Sequence, residues 1–135
     1  MRTITIPYHL LIPVLLSIAC LVYSLYNRSK IMTKRTQGYH TALCCFFFSY
    51  TLLVGWCLYL DLLYQSNLNQ FDLNNDGFFS GAEINDAEKK AMEDLIKDTG
   101  RNFSFLVGLV YSFVLSAIVY GVARLFSYLK KSQAT

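Results

Sequence analysis

Proline is scarce, with two residues in 135: Pro7 stands just before a long apolar run and Pro13 lies within that run's first turns. A chain so poor in the residue that interrupts helices can build long ones. Cysteine is absent between Gln65 and Arg101, and Cys20, Cys44, Cys45 and Cys57 all fall in apolar stretches. That placement excludes a disulfide framework in the polar segment and marks the cysteines as small packing residues, with the vicinal Cys44-Cys45 pair as alternative acyl acceptors. Acid is missing from the stretch that carries Arg28, Lys30, Lys34 and Arg35. Those cations suit lipid headgroups and membrane orientation, so a nucleic-acid partner is not expected. There is no Gly-rich phosphate loop and no evident nucleophile–base pair, and His9 and His40 fall at the ends of spans on opposite faces, where they cannot combine. An enzyme is not expected.

What the chain has in abundance is apolar surface: 54% of its residues are hydrophobic, with ten Tyr and ten Phe. Three runs approach or exceed the roughly 20 residues that a helix needs to cross a bilayer. The expected order is an N-terminal tail (1–7), a first transmembrane helix (8–26), a basic linker (27–40), a second transmembrane helix (41–64), a polar segment (65–101), a third transmembrane helix (102–129) and a C-terminal tail (130–135). Basic residues crowd the linker and the C-terminal end, where Arg124, Lys130 and Lys131 stand. By the positive-inside rule both face the cytoplasm, leaving the N-terminus and residues 65–101 on the non-cytoplasmic side. Ser17-Ile18-Ala19 before Cys20 faintly resembles a lipoprotein cleavage box. The apolar run continues past Cys20 to Tyr26 and a basic cluster follows, so a retained span is expected.

Within the polar segment, Asp72-Leu73-Asn74-Asn75-Asp76-Gly77-Phe78-Phe79-Ser80-Gly81-Ala82-Glu83 alternates oxygen-bearing and other residues. Side-chain oxygens fall at the first, third, fifth, ninth and twelfth places, with glycine at the sixth. This order resembles the EF-hand calcium loop. The resemblance implies that Asp72, Asn74 and Asp76 ligate Ca2+ through side chains, Phe78 through its carbonyl, Ser80 through its hydroxyl or a held water, and Glu83 through both carboxylate oxygens. Gly77 takes the sharp bend. Leu68 and Phe71 occupy the apolar places of an entering helix. Ile84, Ala87, Ala91 and Leu95 recur at helical spacing as the apolar face of an exit helix, with Gly100 expected to stop it. The chain departs from the family in having one loop where hands usually pair, which leaves Phe79 at the eighth place in want of a partner. Nor does any polar break separate the second span from the entering helix, so Thr41 to Phe71 can form one rod. Three carboxylates in an unpaired hand suggest dissociation constants of about 10⁻⁵ to 10⁻³ M.

Two further features bear on partners. Asp61 is the only acid in the spans, and its position near Tyr59 and Tyr64 suggests a hydrated group at the outer interface, with a ligand, proton carrier or helix-pairing role as the alternative. Arg124, near the cytoplasmic end, is expected to snorkel. Ser104, Gly108, Ser112 and Ser116 recur every four residues along the third span, a small-residue stripe suited to packing within the bundle or to contact with another protein. The expected fold is all-α: three transmembrane helices with an extramembrane EF-hand between the second and third. The expected function is calcium-dependent structural or regulatory interaction in the bilayer, through a protein partner or homo-oligomer. A subunit or assembly factor of a larger complex with a structural calcium, and a transport or channel component using Asp61, are the alternatives.

Overall fold

The computed structural model describes residues 5–31, 33, 36–73, 78–97 and 99–132. The described residues are almost entirely helical. In order they form α1 (Tyr8–Tyr26), the short α2 (Arg28–Ile31), α3 (Gln37–Asn69), a 3-10 turn (Gly81–Glu83), α4 (Asp86–Lys97), the short α5 (Thr99–Asn102) and α6 (Ser104–Ser132). Three of these, α1, α3 and α6 through Leu129, are long and apolar enough to cross a membrane.

The helix ends follow local chemistry. Backbone donors of Leu10 and Leu11 bond the Pro7 carbonyl, opening α1, and Pro13 stands inside the helix without ending it. Asn27 closes α1 by bonding the Tyr23 carbonyl through both its backbone N–H (3.0 Å) and its side-chain amide (3.1 Å). Thr33 and Thr36 then staple the turn into α3, with the Thr33 N–H donating to Thr36 Oγ1 at 2.8 Å. α3 runs unbroken for 33 residues. At 1.5 Å per residue this is about 50 Å, well beyond a hydrocarbon core of about 30 Å. The helix overruns the expected 41–64 span at both ends, because the polar Gln65, Asn67 and Asn69 continue the turn instead of breaking it.

α3 is the centre of the bundle, with α1 on one side and α6 on another; α1 and α6 touch each other much less. The apolar core is small: Leu10, Val14, Tyr50 and Val54, with Leu58 and Phe105 at its margin. Most apolar side chains face outward, among them Leu16, Tyr23, Trp56, Val110, Phe113 and Phe126. In water this distribution would be untenable; against lipid tails it costs nothing. Association then relies on close packing and hydrogen bonds between helices. Ser17 Oγ donates to the Phe47 carbonyl (3.0 Å) and accepts from Thr51 Oγ1 (3.0 Å), while Tyr50 donates to the Phe105 carbonyl (3.2 Å).

The small-residue stripe belongs to this internal packing. Ser104, Gly108 and Ser112 are buried, and Ser116 Oγ donates to the Ala42 carbonyl at 2.9 Å. A Cβ added at Gly108 would lie 2.8 Å from Val54 Cγ2. Of the two readings of Ser104, Gly108, Ser112 and Ser116, packing within the bundle is the one seen here: the stripe lets α6 approach α3.

Candidate functional site

Two groups of residues mark the C-terminal part of α3: a buried ion pair about two turns before its end, and the ends of the candidate calcium loop just past it. The last turns of α3 bring Leu68 to 3% exposure, and the chain turns through Phe71 into Asp72, which is 5% exposed. Such burial of a carboxylate requires compensation by polar partners. At the far end of the loop Glu83, 6% exposed, accepts from the Leu73 N–H through Oε1 (2.9 Å) and from the Ser80 N–H through Oε2 (3.1 Å). One carboxylate thus ties together the backbone at Leu73 and at Ser80, from the two sides of the loop. Gly81, with φ of +56°, makes the tight turn that carries the chain from Ser80 to Glu83.

Of the expected ligands, Asp72, Phe78, Ser80 and Glu83 are placed. Asn74, Asp76 and the bend residue Gly77 lie outside the described residues. Among the described residues no group of three or more His, Cys, Asp or Glu side chains is arranged to hold a metal ion. Phe78 is 75% exposed and Phe79 is half-buried, and both engage other residues.

The exit from the loop differs from a continuous EF-hand helix. Ile84 and Asn85 are extended between the 3-10 turn and α4, and Asn85 Oδ1 caps the new helix by accepting from the Glu88 N–H at 2.9 Å. An Asn at this position satisfies a donor that the helix itself cannot. Asp86 and Glu88 in the first turn and Lys97 in the last suit the helix dipole. The expected apolar face is displaced as a result. Ile84 precedes the helix and is exposed, Ala87 is exposed, Ala91 and Leu95 are half-buried, and Glu88 is the buried residue of α4. Gly100 does not stop a helix: it sits inside α5.

At Asp61 the helix-pairing alternative prevails over the hydrated group. Asp61, expected to be hydrated, is 6% exposed, and Arg101 from α5 is 2% exposed. Arg101 Nε lies 3.0 Å from Asp61 Oδ1, its Nη2 donates to the Leu95 carbonyl at 2.7 Å, and its guanidinium lies 5.0 Å from the centre of the Tyr64 ring. Gln65 Nε2 donates to Asp61 Oδ2 at 2.7 Å, and Gln65 Oε1 accepts from the Thr5 N–H at 2.9 Å. The network joins the N-terminal stretch, α3, the end of α4 and α5. A usable signal was present: a lone acid near one end of a span, and an Arg at the start of the next span on the same side, are opposite charges at similar depth. Arg124, by contrast, is exposed as expected and donates to Tyr120 Oη at 2.9 Å.

Chemically, the loop ends offer carboxylate oxygens, the hard ligands that calcium prefers, and the ion pair fixes α3 to α5. Comparison with protein-family models, with curated proteins and with solved structures returns no match.

Proposed function

We propose that this chain is an integral membrane protein whose connection between the second and third spans is a calcium-binding EF-hand on the non-cytoplasmic side. The N-terminus shares that side and the C-terminus is cytoplasmic. The observation that carries the reading is the ligand order from Asp72 to Glu83, supported by the burial of the carboxylates at both of its ends. Bidentate capture of Ca2+ by Glu83 requires its oxygens to turn from the Leu73 and Ser80 N–H groups or to be shared with them. Calcium therefore acts on the link that sets where α4 leaves the loop, while Asp61–Arg101 holds the other end of that helix in place. The surface governed in this way contains Phe78, and Ile84 and Ile96 at the two ends of α4, all at least half exposed. A second membrane protein or another copy of this chain is the partner it suits.

Isothermal titration of the detergent-solubilised full chain tests the reading. Calcium uptake is expected with a dissociation constant of about 10⁻⁵ to 10⁻³ M. Glu83→Gln removes the charge and one bidentate ligand and is expected to weaken binding at least tenfold. Absence of uptake at millimolar calcium, or identical affinity in Glu83→Gln, defeats the proposal. Protease or thiol-labelling accessibility of the 72–83 segment in sealed vesicles tests the orientation separately.

A further inference from the structure

At the opposite end of α3 a second cluster is independent of the loop. His40, 6% exposed, places Nε2 at 2.9 Å from the Ser24 carbonyl oxygen and 3.3 Å from Ser24 Oγ. A carbonyl can only accept, so Nε2 carries the proton and Nδ1 keeps its lone pair. One turn further along α3, Cys44 Sγ lies 3.8 Å from that Nδ1 and 3.6 Å from Ser24 Oγ. The thiol thus lies within reach of the lone pair of an imidazole whose far side is held by a backbone carbonyl. A nucleophile, a base and a group that orients the base are the three parts of an activated thiol. The thiol and imidazole stand four residues apart on α3, a spacing open to the sequence; the group that orients the base comes from α1 and is brought there by the fold. Cys45 shares the helix but projects about 100° away around it, out of register with His40.

Position selects the electrophile. Cys44 is partly exposed and lies about one turn past Thr41, where the expected second span begins, so that span puts it near the boundary between headgroups and hydrocarbon. A group attached there enters the lipid if it is a long acyl chain and is expelled if it is polar.

We propose that Cys44 is S-acylated by long-chain acyl thioesters, with His40 as the general base. Cys44 Sγ attacks the thioester carbonyl carbon as its proton passes to His40 Nδ1. The resulting imidazolium is stabilised by the bond from Nε2–H to the Ser24 carbonyl. The tetrahedral adduct then collapses, the bond from carbon to the leaving sulfur breaks, and that thiolate takes the proton from His40. One thioester replaces another, with no change in oxidation state. Calcium has no part in the step, so the modification stands or falls apart from the loop.

The test uses the full chain in phosphatidylcholine vesicles with palmitoyl-coenzyme A. Intact-mass analysis is expected to show one palmitoyl group per chain, removable by neutral hydroxylamine, lost in Cys44→Ala and retained in Cys45→Ala. His40→Gln keeps an Nε2–H donor for the Ser24 carbonyl but has no base, so its initial rate is expected to fall about 100-fold. Circular dichroism and gel filtration confirm that the variant is folded. Failure of the wild-type chain to take up acyl groups, or equal uptake by Cys44→Ala, overturns the site. An unchanged rate in folded His40→Gln overturns the role of the base.

Discussion

At one end of α3 the neighbouring segments are held by charge, and at the other by neutral groups. Asp61 and Arg101 bring full opposite charges into a nearly dry setting, each with further polar partners. Ser24, His40 and Cys44 do the corresponding job with one imidazole, one hydroxyl, one carbonyl and one thiol. The Asp61–Arg101 network joins four separate pieces of chain, while the Ser24–His40–Cys44 cluster joins α1 to α3. A charged network is strong when complete and costly when broken, whereas a neutral one is weaker but leaves its groups free to react.

The widest difference is expected from the charged end. Arg101→Ala should lower stability in detergent by about 3–5 kcal/mol, because Asp61 is left buried without its counter-charge. The double variant Asp61→Leu with Arg101→Met should recover most of that loss, and a thermal-unfolding double-mutant cycle measures the difference. Two additive losses would show that the pair does not act as a unit. Between the extremes lies the cap of α4. Asn85→Ala should cost about 1 kcal/mol and raise hydrogen exchange in the first turn of α4, leaving α3 unaffected. The smallest effect belongs to the neutral end. Ser24→Ala removes the hydroxyl but leaves the carbonyl that holds His40, so about 0.6 kcal/mol is expected, the average for an interhelical hydrogen bond in membranes. A loss at Ser24 as large as that at Arg101 would erase the contrast between the ends.

The long helices were legible because their signals are local. The apolar run of α1 is bounded by Pro7 and Asn27, and the helix spans Tyr8–Tyr26 as expected. The limits of α3 were harder to read, since hydropathy reports where a helix meets lipid and not where its hydrogen bonds stop. Spacing alone marked the stripe on α6 as suited to close approach, yet four-residue periodicity does not say which neighbour approaches. The start of α4 was displaced by Asn85, whose capping role competes with the continuation of the helix from Glu83. Asp61 and Arg101 stand 40 positions apart, and only the fold brings them together. For the loop, the order of oxygen-bearing residues was visible at once, but the use of Glu83 as a backbone tie between Leu73 and Ser80 depends on how the chain closes.

The unequal lengths of the three long helices carry a consequence for the surrounding lipid. α1 has 19 residues, so upright it covers about 28 Å, whereas α3 and α6 have length to spare. The longer two can tilt to suit a thin membrane or rise through a thick one; the shorter has no such latitude. α1 therefore sets the upper limit of bilayer thickness that the bundle tolerates without pulling the lipid inward. Reconstitution into vesicles of graded acyl length should show its effect first at residues 5–10, where the N-terminal stretch is tethered to Gln65.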